Sequence, residues 1–92
     1  MIRKEVKQIV KQAMEMDIEN LRIFTGYDSD QVIEVVGKVL SQLNLLESFA
    51  KSINLECRRL TPTFGQYQGM YVIYIAKILD KDKSAEGYYQ LK

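Results

Sequence analysis

Two adjacent arginines, Arg58 and Arg59, open the segment RRLTPTFGQYQGMY (residues 58–71), which also carries Phe64, Tyr67, Tyr71, the chain's single proline and two of its five glycines. Guanidinium groups beside aromatic rings suit two kinds of binding. They track a nucleic-acid backbone while bases stack on the rings, or they anchor a protein contact, where Arg and Tyr concentrate binding energy. A second basic group, Arg3, Lys4 and Lys7, lies at the amino terminus. Together Arg58, Arg59, Phe64, Tyr67, Tyr71, Arg3, Lys4 and Lys7 are the candidate binding residues.

Catalytic chemistry is restricted. The chain has no histidine and one cysteine, Cys57. Zinc sites of imidazole and thiolate, and Ser–His or Cys–His nucleophilic systems in their usual forms, are therefore not available. The stretch GQYQG lacks the lysine and helix of a phosphate-binding loop. Asp28, Ser29 and Asp30 lack EF-hand spacing, and a capped helix start explains these acids better than a cation does. A small histidine-free ribonuclease remains conceivable, with Arg58, Arg59 and Lys77 stabilising the phosphorane and Tyr71 moving the proton. A solvated strand with packed tyrosine rings explains the same residues more simply, so no catalytic residue, metal or cofactor is assigned.

Composition sets the frame for these residues. Ninety-two residues make a single domain of 1–92. A hydrophobic content of 47% with 27% charged residues is that of a globular chain. Thirteen basic against twelve acidic residues leave a net charge of +1, which in bulk favours no polyanion. The distribution is more telling. Arg3, Lys4, Lys7 and Lys11 face only Glu5 in the first twelve residues, whereas residues 13–34 hold Glu15, Asp17, Glu19, Asp28, Asp30 and Glu34 against Arg22. Lysines at the start of a helix oppose its dipole, which favours a basic patch with a role of its own. One thiol suits a reducing compartment, no apolar run is long enough to span a bilayer, and the amino terminus has no signal-peptide core. The expectation is an intracellular, cytoplasmic protein without membrane contact.

The elements that position the candidates follow from periodicity. Ile2, Val6, Ile9, Ala13, Met16, Ile23 and Tyr27 recur by fours and threes with Asn20 as the polar exception, which predicts a helix over about 3–24 ending near Gly26. Asp28 and Gln31 resemble a capping box. Val32, Val36, Val39, Leu43, Leu46, Ala50 and Ile53 then step similarly, predicting a helix over about 29–52 with weak points at Gly37 and Asn44. Beyond Ile53 the period shortens, predicting strands over about 54–61, 70–79 and 87–91. No internal repeat is apparent. The expected fold is therefore α+β: an N-terminal antiparallel αα-hairpin followed by a three-stranded antiparallel β-meander. If the second helix breaks near Asn44, a winged-helix-like order with residues 61–69 as the wing is the alternative.

Strand 70–79 is apolar on both faces. Met70, Val72, Tyr74, Ala76 and Ile78 share one face, and Tyr71, Ile73 and Ile75 the other. An antiparallel strand with one wet face alternates instead, so the second face needs a cover: more of this chain, a second copy, or another protein. The functional expectation is a small interaction or regulatory protein that binds another macromolecule and forms a homodimer. A nucleic-acid-binding module with an aromatic-tipped hairpin is the alternative, and the ribonuclease stands third.

Overall fold

A computed structural model describes residues 4–18, 20–25 and 31–77. The class is α+β, but the arrangement differs from the expected one. The described elements are α1 (Lys4–Glu15), β1 (Asn20–Thr25), β2 (Gln31–Gly37), α2 (Leu40–Ser52), β3 (Glu56–Leu60) and β4 (Tyr71–Ala76). The four strands form one antiparallel sheet in the order β1-β2-β4-β3.

The αα-hairpin is thus corrected to two shorter helices with two strands between them. Residues assigned to the first helix beyond Glu15 turn into β1, and Gln31, expected to cap the second helix, begins β2. The helix that does form, α2, runs through Asn44 without a break, and the intervening strands rule out the helix–helix–helix–hairpin order of a winged helix. The three-stranded meander becomes a four-stranded sheet. The later strands lie where the short period placed them, while the strand expected over 87–91, together with Arg3, Gly26 and Asp28, falls outside the described residues.

Each helix is shaped by its buried stripe and its stop. In α1, Val6, Ile9 and Ala13 are buried; in α2, Leu43, Leu46 and Ala50 are. Both helices end in the same way. Asp17 (φ 59°) and Asn54 (φ 65°) adopt the left-handed conformation, which Asn and Asp tolerate better than other non-glycine residues. The Ile18 amide then donates to the Ala13 carbonyl at 3.1 Å, and the Leu55 amide to the Ala50 carbonyl at 3.0 Å. The Asp17 and Asn54 amides donate to Met14 and Lys51, each at 3.1 Å. Both sets are Schellman stops.

This correspondence extends along the chain. The unit α1-β1-β2 repeats as α2-β3-β4, so an internal repeat exists that the sequence did not disclose. Val6, Ile9 and Ala13 match Leu43, Leu46 and Ala50; Arg22 and Phe24 match Arg58 and Leu60; Val32, Ile33 and Glu34 match Val72, Ile73 and Tyr74. β2 and β4 pair antiparallel with Glu34 opposite Tyr74, and an approximate two-fold axis passes through that pair.

The sheet has a core on each face. The helix side joins Val6, Ile9, Ala13, Leu43, Leu46, Ala50 and Leu55 with Ile33, Val35, Ile73 and Ile75. On the other side Val32, Val36, Val72, Tyr74 and Ala76 are also buried, with Phe24, Leu60, Tyr67 and Met70 packed against them. The two-faced strand is therefore buried on both sides within one chain. Self-association is not needed to explain its composition.

Candidate functional site

Strand alternation decides where the sequence candidates go. Arg58 lies opposite Tyr74 on the face away from the helices. Arg59 points to the helix side, where its Nη1 donates to the Glu47 carboxylate at 2.8 Å and its Nη2 to Asn44 Oδ1 at 2.7 Å. Adjacent in sequence, the two guanidinium groups are on opposite sides of the sheet. Tyr71 packs with the helix-side core and Tyr67 with the other.

The 61–70 connection explains the tyrosine. Gly65 (φ 84°) and Gly69 (φ 80°) take left-handed turns that a side chain would oppose. The Gly69 amide closes the loop onto the Pro62 carbonyl at 3.3 Å, and the Met70 amide bonds the Tyr67 carbonyl at 3.0 Å. Tyr67 thereby packs on the sheet, whereas Phe64 stays 68% exposed. Lys4 and Lys7 are exposed on α1, and Lys77 is exposed just after β4. The candidates do not form one surface: Arg58 and Tyr67 share a face of the sheet, Arg59 and Tyr71 the other, Phe64 projects from the loop and the lysines stand on α1.

Two polar clusters went unread in the sequence. The first crosses the sheet at the approximate axis. Arg22, Glu34, Tyr74 and Arg58 are consecutive cross-strand neighbours on β1, β2, β4 and β3. Arg22 grips the Glu34 carboxylate with Nε to Oε1 at 2.8 Å and Nη2 to Oε2 at 3.3 Å, and the Tyr74 hydroxyl donates to Oε2 at 3.0 Å. The Arg22 guanidinium also lies 5.5 Å from the centre of the Phe24 ring, which meets the Tyr74 ring edge-on at 6.4 Å. Hydrogen bonding to Glu34 raises the Arg22 pKa further. Burial first, then the neighbouring carboxylate, holds the Tyr74 phenol protonated far above its ordinary range. Carboxylate, phenol and guanidinium could move a proton and hold an anion if a solute reached them. Glu34 is only 1% exposed and Tyr74 2%, so the cluster serves to bind three strands together.

The second cluster lies on the outside of α2. Glu47 accepts from Lys51 at 2.8 Å as well as from Arg59, and the Lys51 hydrogen bond leads in lowering its pKa. Beside it, Cys57 packs toward the helix-side core, and burial pushes its thiol up to about 11. A thiol held protonated in this way is a packing group, not a nucleophile.

The outside of α1 differs. Lys7, Val10, Lys11, Met14 and Glu15 of α1, together with Ile23 of β1, line an open groove of about 480 Å³. Its floor is Val10, Met14 and Ile23, and Met14 is 68% exposed. No known protein family, curated protein or solved structure gives a significant match to this chain. Among the described residues, no helix is long and apolar enough to cross a membrane. The signal that finds the groove in the sequence is the stripe Lys7, Val10, Lys11, Met14, which continues around α1 from the buried Val6, Ile9 and Ala13.

Proposed function

We propose that this chain is an interaction module that acts by binding another protein, with the groove between α1 and β1 as its contact. The observation that carries this reading is the exposed apolar floor of that groove, where Met14 stands open beside Val10 and Ile23. Exposed apolar surface rimmed by charge marks an interaction site more often than isolated exposed residues do, and methionine adapts its shape to a partner. The nucleic-acid alternative draws less support. The 61–70 connection has no charged residue, Arg59 is engaged by Glu47 and Asn44, and Tyr67 and Tyr71 are packed into the two cores. The ribonuclease reading loses its proposed arrangement because Arg58 and Arg59 diverge.

The test compares immobilised wild-type protein with Met14→Asp in extracts of the native host. Met14 is exposed, so the variant keeps its fold, which circular dichroism verifies. A protein that crosslinks to the wild type through a photoreactive residue at position 11, and is lost with Met14→Asp, supports the reading. Identical capture by both proteins overturns it.

A further inference from the structure

The two halves of the repeat show what belongs in this groove. The positions of Lys7, Val10, Met14 and Ile23 correspond in the second half to Asn44, Glu47, Lys51 and Arg59. There the space over the helix is filled from within the chain: Arg59 lies across α2, bound to Asn44 and Glu47, and Glu47 also meets Lys51. In the first half the equivalents of Glu47 and Arg59 are the apolar Val10 and Ile23. Neither Lys7 nor Lys11 is paired with an acid among the described residues.

Resting on the reading of this groove as a protein contact, we propose that its occupant is an acidic amphipathic helix of the partner, whose apolar residues seat on Val10, Met14 and Ile23 while its carboxylates meet Lys7 and Lys11. The groove wall is itself one stripe of a helix, at spacings i, i+3, i+4, i+7 and i+8, and so runs about 12 Å along the axis. That shape suits a helix laid in a groove with anchors one turn apart. Lys4 and Lys7 stand at the α1 amino terminus, where carboxylates of a partner relieve their conflict with the helix dipole.

Other occupants fit less well. In an isologous contact between two copies the patch meets itself, and with Lys7 and Lys11 against the single lining acid Glu15 each copy brings a net positive rim to the other, at a repulsive cost. A membrane surface would take the broad apolar face of a basic helix, but Val6, Ile9 and Ala13 are already buried in the core. Nucleic acid would find no aromatic ring among the described lining residues on which to stack a base.

The test is fluorescence anisotropy with a labelled synthetic helix carrying leucine at i, i+4 and i+7 flanked by glutamates, against the same helix with lysine in place of glutamate. Two charge contacts at a groove rim predict that wild-type protein prefers the glutamate helix by about tenfold. The double variant Lys7→Glu with Lys11→Glu reverses the preference, and Met14→Asp abolishes binding of both helices. Equal affinity for both helices, an unaltered preference in the double variant, or stronger binding to phosphatidylserine vesicles than to the glutamate helix overturns the proposal. A dimer in light scattering that Met14→Asp dissociates also overturns it, in favour of a second copy. If host-protein capture still depends on Met14 while the charge preference is absent, the acidic helix is wrong and the protein-binding reading survives.

Discussion

The outer edges of the two αββ halves start from one backbone plan and end with different surfaces. At the β3 edge, Arg59, Asn44, Glu47 and Lys51 satisfy one another across α2. At the β1 edge the corresponding Val10, Met14 and Ile23 leave an apolar floor, and Lys7 and the neighbouring Lys11 have no acid partner among the described residues. The shared parts are those the fold needs: helix stripes, Schellman stops, and the pairing of β2 with β4. The unshared parts lie where a helix's outer face meets an edge strand, a place the core does not constrain. A repeat thus separates what folding requires from what is free to serve binding, within one chain and under one set of conditions.

The same comparison can be broken at the row of residues across the axis. Arg22 and Arg58 are equivalent, but Arg22 holds the buried Glu34 carboxylate and Arg58 lies beside Tyr74. Arg22→Ala leaves that carboxylate with the Tyr74 hydroxyl and, among the described residues, no cation, a loss of about 1–3 kcal/mol for a buried charged group left under-satisfied. The Arg22 side chain is itself 66% exposed, which lets water take up part of the deficit and keeps the loss below that of a fully enclosed pair. Arg58→Ala removes no such partner and is expected within about 0.5 kcal/mol of wild type. Urea unfolding of both variants measures the difference. Equal losses would mean that the halves share this role and that the ion pair contributes little.

The sequence displayed β3 and β4 because their period and β-branched or aromatic content have no helical counterpart. It concealed β1 and β2 for a physical reason. Val32, Ile33, Val35 and Val36 are apolar on both faces of a central strand, and a strand buried on both sides satisfies a three-four step as readily as a two-step. β1 was concealed by coincidence, since Asn20 and Ile23 fell on the helical stripe while Leu21 and Ile23 in fact face the helices. The likeness of QVIEVV to YVIYIA is the one trace that the strand and the repeat leave in the sequence. Glu34 misled for a different reason: an acid reads as solvated until its partners are known, and Arg22 and Tyr74 come from two other strands. The scattered site has the plainest cause. Arg58 and Arg59 were grouped by adjacency, which alternation along a strand turns into separation.

The helix stops sharpen the comparison with a smaller effect. Asp17→Ala and Asn54→Ala each place a β-carbon without a local polar group in the left-handed region, at a cost of about 1 kcal/mol. Glycine at either position avoids that cost. Because the hydrogen bonds of the two stops match within a tenth of an ångström or so, the two alanine variants should lose equal stability in thermal unfolding. A clear inequality would show that the two stops are alike in geometry but unlike in the load they carry.

The smallest effect concerns acid. Lys51 and Arg59 lower the Glu47 pKa below its ordinary value of 4.5. For a carboxylate whose folded pKa is depressed, the stabilisation is fully present above the unfolded value and disappears as pH falls through the lower folded one. The contribution is below about 1 kcal/mol, because the cluster is at the surface and Lys51 is exposed. The first half has Val10 at this position and so has no equivalent titration. Glu47→Val, which copies the first half into the second, should therefore flatten the stability curve below pH 4.5 and leave Arg59 and Lys51 without their acid. The reciprocal change, Val10→Glu, places a carboxylate beside Lys7, Lys11 and Met14, steepens the same part of the curve, and weakens binding of the glutamate helix by occupying the lysines from within. Titrating urea midpoints of both variants between neutral and acid pH, alongside the anisotropy assay, decides whether the open groove owes its character to that single exchange of valine for glutamate.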